Sequence, residues 1–380
     1  MNGKRFLIVT ASVGSGHEKA AAAISQGISD AYPDAFVRTV DFMAKSTSWL
    51  NAFMKACYLN MLNFMPNLYE FIYNFTAGPK RGSLIQTIMA AVMAQTMKGL
   101  INEHQPDVII CTHPFPADAV SHLSYKWRKR FLSAAQITDY SVHPMWVCPN
   151  MNLYFVACSS MREALAAEGI TKSTIHVTGI PVDKAFSRPV EPEILKAFKK
   201  YYGISSSIPV ILIMGGGLGL GGISSSLDKL EKVGQRLQLL VVAGRNRELA
   251  HQARAKIEHS HHIIKVWDYT DEIRIMMECA DLLVSKPGAL TLTEAMLAGL
   301  PMLLHEPIPG PETDNAIYMS DCGIARWIHS EEELAVAIEE LVSHPEKLVG
   351  MSRRAETVGR PDVISHIIAS IKENYPDNLK

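Results

Sequence analysis

The stretch FLIVTASVGSGHEKAAAAI, residues 6–24, sets the expected fold of the chain. Its first four residues are apolar and predict a buried strand, and the alanine-rich run after the glycines predicts a helix. Gly14 and Gly16 let the backbone of the intervening turn pass close to a bound group. The stretch therefore predicts the first strand–turn–helix unit of a parallel sheet, with His17 at the carboxyl end of the strand, where such sheets bind ligands.

The same pattern recurs in both halves of the chain. Short apolar runs alternate with segments of helical period, which is typical of parallel strands buried on both faces. The runs are residues 6–9, 36–40, 108–110, 134–137, 153–156 and 175–178, then 210–214, 239–242, 263–266, 282–284, 302–304 and 325–328. They predict an α/β protein with two Rossmann-like domains facing a central cleft.

A proline-punctuated stretch, SRPVEPE at residues 187–193, separates the two sets of runs and predicts a linker. The predicted N-terminal domain is residues 1–187 and the C-terminal domain is residues 188–350. A C-terminal helix at residues 351–380 is expected to pack back on the N-terminal domain.

The composition indicates a soluble globular enzyme. The formal net charge of −1 over 380 residues gives no reason to expect a nucleic-acid partner. The six cysteines lack C-x-x-C spacing, which favours reduced thiols in a cytosol over disulfides or a zinc site. The strand that begins just after Lys4 and Arg5 leaves no room for a signal peptide, and no apolar run is long enough to predict a membrane span.

Two glycine clusters predict anion binding without identifying a dinucleotide site. Gly217, Gly219 and Gly222 match G-x-G-x-x-G, but the next strand is followed by Arg245 instead of an acidic residue. In the first half Lys19 stands where the third glycine would be, and neither cluster ends in Gly-Lys-Ser/Thr. Backbone amides at a helix N-terminus, suited to a diphosphate, are the property that the two clusters share.

A third stretch, SKPGALTLTEAMLAGLPMLLHEPIPGPETDNA at residues 285–316, carries the polar groups expected to hold a sugar nucleotide. Its helix should bind phosphate through N-terminal amides, while Glu294 can accept hydrogen bonds from two ribose hydroxyls. The loop after the next strand contains Glu312, Asp314 and Asn315, which can bind sugar hydroxyls.

Three motifs in register, TASVGSGH, TDYSVHPMW at residues 138–146 and KPGALTLTEAMLAGLP…PGPETDNA, resemble bacterial diacylglycerol glucosyltransferases and plant monogalactosyldiacylglycerol synthases. A more distant resemblance is to the N-acetylglucosaminyltransferase that makes the undecaprenyl-linked peptidoglycan precursor. The resemblance implies a GT-B fold, an inverting mechanism, a UDP-sugar donor in the C-terminal domain and a lipid acceptor in the N-terminal domain. Pro311 departs from the family's usual sugar loop and leaves glucose and galactose both open as donors.

Carried over by motif, Glu294 resembles the ribose-binding glutamate, and Glu312 and Asn315 resemble the pair that contacts the sugar. The predicted donor-binding residues are Gly216, Gly217, Gly219, Arg245, Pro287, Gly288, Ala289, Leu290, Thr291, Glu294, Glu312 and Asn315. The predicted acceptor or membrane residues are Gly14, Gly16, Trp49, Phe53 and Trp146.

The predicted catalytic residues are His17, Asp139 and His143. Inverting transfer needs a base for the acceptor hydroxyl, and a histidine suits that role. Asp139 is the rival base, or it could orient His17 or His143, and a helix-capping role for His17 is the structural alternative. The sequence contains no Asp-x-Asp pair, so we expect neither a metal nor a cofactor beside the UDP-sugar co-substrate.

Residues 46–76 carry paired apolar side chains at helical spacing, including Trp49 and Phe53. A buried helix pair would give the same pattern, but a lipid acceptor favours contact with an anionic membrane surface.

The basic stretch KWRKRF, residues 126–131, could serve the same contact. The histidine-rich stretch HSHH at residues 259–262 is expected to be surface and not a metal site. We therefore expect a cytoplasmic protein bound peripherally to the inner face of the membrane.

The predicted activity is transfer of a hexose, glucose in preference to galactose, from a UDP-sugar to diacylglycerol. The alternatives are a UDP-sugar 2-epimerase, a transferase for another lipid such as an undecaprenyl-linked precursor, and a non-catalytic binding protein. No obligatory protein partner is inferred.

Overall fold

The computed structural model describes residues 1–12, 15–44, 84–215 and 223–375. The predicted site residues Gly14, Trp49, Phe53, Gly216, Gly217 and Gly219 lie outside these ranges, as does the whole apolar pattern at 46–76. The predictions made for them stay predictions.

The chain divides into two compact units, each built on a parallel six-stranded sheet. The first unit comprises residues 1–184, 309–311 and 362 onward, and the second comprises residues 185–308 and 312–361. The first sheet contains β1 (Arg5–Thr10), β2 (Phe36–Asp41), β3 (Val108–Cys111), β4 (Leu132–Gln136), β5 (Leu153–Val156) and β6 (Ile175–Val177). The second contains β7 (Val210–Met214), β8 (Gln238–Val242), β9 (Ile263–Trp267), β10 (Leu282–Ser285), β11 (Met302–Leu304) and β12 (Ala325–Trp327).

Helices cover both faces of the sheets. Those described in the first unit are α1 (Ser15–Ala31), α2 (Leu84–His104), α3 (Pro114–Ser121), α4 (Tyr125–Arg128) and α5 (Ser159–Ala167). The second unit contains α6 (Pro192–Tyr202), α7 (Ile223–Leu230), α8 (Arg247–Ala255), α9 (Ile273–Cys279), α10 (Ala289–Leu297), α11 (Pro311–Asp321, whose first residue groups with the first unit), α12 (Glu331–Ser343) and α13 (Pro345–Val358). The last helix, α14 (Val363–Asn374), belongs to the first unit.

The strand order fixes where each sheet can bind a ligand. The first sheet runs β2-β1-β3-β4-β5-β6 and the second runs β12-β11-β10-β7-β8-β9. The order therefore reverses between β1 and β3 in one sheet and between β7 and β10 in the other. Loops that leave the carboxyl ends of the strands at such a reversal diverge and open a crevice, so these two places are the expected ligand sites.

The α/β class and all twelve predicted strands are confirmed. The strands are buried almost throughout in the middle of each sheet, where β1, β3, β7 and β10 lie. Burial on both faces explains why continuous apolar runs, without alternation, identified them in the sequence.

The prediction of one C-terminal helix at residues 351–380 is wrong. The segment contains the end of α13 and all of α14, separated by Gly359 and Pro361. Proline disfavours helical backbone in the residue before it, so the helix cannot continue through this point. Only α14 packs in the first unit, where Val363, Ile367 and Ile371 join the core formed by β1, β3 and α1.

Within the described ranges, no helix has both the length and the apolar composition needed to cross a bilayer.

Candidate functional site

Three strand ends meet around His17 in the first unit. His17 lies in the first turn of α1, directly after the loop that follows β1. Thr112 and His113 follow β3, the strand next to β1, and Thr138 follows β4. The site therefore lies at the place where the strand order of the first sheet reverses.

Hydrogen bonds from two of these strand ends hold the His17 ring. Nδ1 of His17 lies 2.8 Å from the carbonyl oxygen of Thr112 and 2.7 Å from the hydroxyl oxygen of Thr138. The Thr112 hydroxyl donates in turn to the His17 carbonyl at 3.1 Å. The ring of His113 packs edge-on against the His17 ring, with 4.6 Å between their centroids.

The two histidines are neutral at physiological pH. The His17 side chain is only partly exposed, and its burial lowers the pKa of His17 to about 4 against a smaller opposing effect of the Thr112 carbonyl. Burial also lowers the pKa of His113 well below its ordinary value, and the neighbouring His17 lowers it further. A neutral imidazole can accept a proton, so His17 has the protonation state of a general base.

The other site residues predicted in this unit differ in their exposure and in their hydrogen bonds. Asp139 is partly exposed beside Thr138, and Gly16 lies in α1 one residue before His17. The His143 side chain accepts a hydrogen bond from the Met145 amide at 3.2 Å and so caps the short 3₁₀ helix Pro144–Trp146. Trp146 is only 3% exposed, and its assignment as an acceptor or membrane residue stays a prediction.

In the second unit, the phosphate site is predicted at the N-terminus of α10, which follows β10. Gly288 is the N-cap residue in extended conformation, and Ala289 begins the helix. The amides of the first turn, which includes Leu290 and Thr291, have no acceptor within the helix and carry the positive end of its dipole. The geometry suits an anion such as a diphosphate.

Glu294 lies in the second turn of α10 and is 6% exposed, so its carboxylate is held within the protein and not in bulk water. The Ser285 hydroxyl, at the end of β10, is fully buried and has no hydrogen-bond partner among the described residues. A buried hydroxyl without a partner is uncommon, and it lies beside the loop that leads into α10.

The prediction of a loop at Glu312, Asp314 and Asn315 is wrong, because these residues lie at the start of α11. An ion pair joins this start of α11 to the residues after β10. The Lys286 ammonium pairs with Glu312 Oε1, and Glu312 Oε2 accepts a hydrogen bond from the Ile308 amide at 2.9 Å. The Asn315 side chain is fully buried and donates to the Pro287 carbonyl at 3.2 Å, which ties α11 to the start of α10. Sequence reasoning missed Lys286, although it lies in the motif that was singled out.

Arg245 follows β8 in an exposed position, with its guanidinium 5.7 Å from the centroid of the Tyr269 ring. Gly244 before it has a φ of +64°, a conformation that favours glycine. Asn246 caps α8 by accepting from the Leu249 amide at 3.0 Å. Arg245 thus lies at the carboxyl edge of the second sheet, and its contact with a diphosphate stays a prediction.

Glu231, His261 and His262 bring potential metal ligands within 4.8 Å of one another. However, His262 is 4% exposed and both of its ring nitrogens are engaged, by the Leu237 amide and by the Leu230 carbonyl. These contacts fasten the turn before β9 and leave the His262 ring without a free ligand atom. The expectation of a surface position is wrong for His262, and a structural role fits the cluster better than metal binding.

Comparison with known families divides the chain in the same way. The family described as monogalactosyldiacylglycerol (MGDG) synthase matches residues 17–182, and the glycosyltransferase family 28 C-terminal domain matches residues 210–367.

Known proteins resemble the chain over nearly its whole length. A processive diacylglycerol beta-glucosyltransferase of Bacillus cereus (strain B4264) is 28% identical, covering 98% of this chain and 95% of its own length. Among solved structures, Acinetobacter baumannii MurG superimposes with a TM-score of 0.65 at 16% identity, over 97% of this chain and 99% of its own. A UDP-GlcNAc 2-epimerase from Neisseria meningitidis, bound to UDP-GlcNAc, gives a TM-score of 0.61 at 14% identity, over 97% of this chain and 100% of its own. At these identities the structural likeness establishes the GT-B fold.

Proposed function

We propose that this chain transfers glucose from UDP-glucose to diacylglycerol. The chain is a glycosyltransferase that joins an MGDG synthase domain to a glycosyltransferase family 28 C-terminal domain. The curated relatives named diacylglycerol beta-glucosyltransferases, similar over nearly the whole chain, support both the sugar and the acceptor. The observation that carries the proposal is the neutral His17 imidazole at the strand-order reversal of the first sheet.

The proposed step is a single inverting displacement. The acceptor hydroxyl oxygen attacks the anomeric carbon of the sugar, and the bond from that carbon to the diphosphate oxygen breaks. UDP leaves with the electron pair, and the hydroxyl proton passes to His17. General base catalysis of this kind contributes about 10²–10⁴ in rate.

The second unit holds the donor in this proposal. The amides at the start of α10 and the guanidinium of Arg245 stabilise the diphosphate as its charge grows, and Glu294 accepts hydrogen bonds from the ribose. The Lys286–Glu312 pair fixes a carboxylate whose remaining lone pairs can accept sugar hydroxyls. These groups replace a metal clamp, so the reaction is proposed to need no divalent cation.

The experiment is a transfer assay with a panel of donors. Purified protein is incubated with diacylglycerol in vesicles and UDP-glucose, UDP-galactose or UDP-GlcNAc, and both the lipids and the nucleotides are analysed by mass spectrometry and NMR. We expect glucosyldiacylglycerol and UDP. Conversion of UDP-GlcNAc to its 2-epimer without a lipid product would instead identify an epimerase.

We further propose that the acceptor is reached from an anionic membrane surface through a basic aromatic patch, formed by Tyr125, Lys126, Trp127, Lys129 and Arg130. Tyr125 is 66% exposed, and three of the four other members are exposed as well. The ammonium of Lys129 lies 4.6 Å from the Tyr125 ring centroid, and the guanidinium of Arg130 lies 4.9 Å from that of Trp127. Aromatic rings beside cations suit the headgroup region, and each cation near an anionic surface contributes about 1 kcal/mol.

This membrane contact is tested by sedimentation with vesicles. The protein should sediment with anionic vesicles at low salt, and the Lys126→Glu/Lys129→Glu variant should lose most of that binding. The matched control, Lys196→Glu/Lys200→Glu, changes the same charge on exposed positions of α6 and should keep it. Equal binding by both double variants would contradict the patch and leave the predicted contact at Trp49 and Phe53 as the one to test.

A further inference from the structure

The proton on the His17 ring can be located from the hydrogen bonds. A carbonyl oxygen can only accept, and the Thr112 carbonyl lies 2.8 Å from Nδ1 of His17. Nδ1 must therefore carry the proton, since a lone pair there would face the lone pairs of the carbonyl. The lone pair of the neutral ring is then on Nε2, and the Thr138 hydroxyl oxygen, 2.7 Å from Nδ1, is a second acceptor of the same N–H.

The two oxygens that contact Nδ1 of His17 belong to buried residues. Thr138 is 3% exposed, and Thr112 is fully buried, so neither oxygen is replaced by bulk water. The Thr112 hydroxyl also fixes the His17 carbonyl at 3.1 Å. Rotation of the ring about either side-chain torsion would break the contacts of Nδ1 with both oxygens.

We propose that Thr138 is a positioning residue for the base: its hydroxyl oxygen, together with the Thr112 carbonyl, holds His17 with Nε2 free for the acceptor hydroxyl. This inference rests on the proposed function and names a residue that the motif comparison did not assign a role.

The contribution of Thr138 should grow as the reaction proceeds. When the acceptor proton reaches Nε2, the ring becomes an imidazolium, and the Nδ1–H bond to Thr138 becomes charge-assisted and therefore stronger. The edge-packed His113 stays neutral and adds no opposing charge. An interaction that is stronger in the transition state than in the ground state affects kcat and leaves substrate binding unchanged.

The kinetic test compares Thr138→Val, which keeps the shape and removes the oxygen, with Thr138→Ser, which keeps the oxygen. Thr138→Val should lower kcat about tenfold, as expected for one lost hydrogen bond to a charged group, with the KM for UDP-glucose unchanged within about twofold. Thr138→Ser should retain kcat within about threefold. The acid limb of the pH profile should move to lower pH in Thr138→Val, because an acceptor that favours the charged ring is lost.

A spectroscopic test needs no activity. In protein labelled with ¹⁵N-histidine, the His17 resonances are assigned by their loss in His17→Gln, and their shifts report which ring nitrogen carries the proton. We expect the proton on Nδ1 in the wild type. A proton on Nε2, or a Thr138→Val enzyme with wild-type kcat and an unshifted acid limb, would overturn the inference. Failure of the wild type to form any glycolipid would contradict the proposed function, while the NMR result would still decide the placement of the ring.

Discussion

Substitution of Gly27 by alanine tests how α14 packs on α1 within the first unit. Gly27 lies inside α1, and a Cβ built there would be 2.3 Å from Cγ2 of Ile364 in α14 and 3.3 Å from its Cβ. Carbon atoms in contact are normally about 3.5–4.0 Å apart, so an added Cβ at Gly27 would force the Ile364 side chain to shift. Glycine is therefore required here by the close approach of two helices, although it lowers helix propensity.

The size of the effect follows from two opposing contributions. Alanine should gain about 1 kcal/mol of helix propensity, and overpacking a fitted contact should cost about 1–3 kcal/mol. We expect Gly27→Ala to destabilise the first unit, by up to about 2 kcal/mol. In an Ile364→Ala background the 2.3 Å contact with Cγ2 is removed and only the 3.3 Å contact with Cβ remains, so the same Gly27→Ala change should be less destabilising.

The assay is urea unfolding monitored by hydrogen exchange in peptides from α1 and α14, because the two units need not unfold together. Gly99→Ala is the matched control: it lies inside α2, is exposed and has nothing within 4 Å of the added Cβ, so it should stabilise by about 1 kcal/mol. If Gly27→Ala stabilised the protein as Gly99→Ala does, the described packing of α14 on α1 would be wrong.

Three further predictions concern the chemistry. Glu294→Gln should weaken UDP binding by at least tenfold in calorimetry without lowering the melting temperature, because a hydrogen bond to a charged group contributes about 1.5–3 kcal/mol. Unchanged UDP affinity would reject the assignment of Glu294 to the ribose. Transfer should persist in excess EDTA, and loss of activity that is restored by Mg²⁺ or Mn²⁺ would contradict a metal-free diphosphate site. Because burial lowers the pKa of His17 to about 4, the base should remain unprotonated as the pH falls from 8 to about 5. The acid limb of the kcat profile should therefore lie below about pH 5. An acid limb near pH 6.5 would indicate another base or a solvated His17.

The strands could be predicted from the sequence because their physical cause is local. A strand that is buried on both faces is apolar along its whole length, and this property is visible without knowing its neighbours. The break between α13 and α14 had a local signal too, in Gly359 and Pro361, which the prediction of one helix did not take into account.

The candidate sites could be predicted only in part, because their contacts join distant residues. His17 was identified by its place after the first strand, yet its partners Thr112 and Thr138 lie 95 and 121 positions away, and small hydroxyl residues carry no pattern of their own. The sequence could have suggested them only by their common place after predicted strands. The role of Lys286 could not be predicted for the same reason. Its partner Glu312 is distant in the sequence and comes close to Lys286 only because the chain folds back after β11.

The configuration of the lipid product tests the central claim most directly. Wild-type protein and His17→Ala are each incubated with UDP-[¹³C]glucose and diacylglycerol vesicles, the anomeric coupling of the lipid-linked sugar is read by NMR, and UDP binding is measured in parallel. A single inverting displacement with His17 as the base predicts β-linked glucosyldiacylglycerol from the wild type, and from His17→Ala a turnover reduced at least a hundredfold with UDP affinity preserved. An α-linked product, or near-normal turnover by His17→Ala, would contradict it.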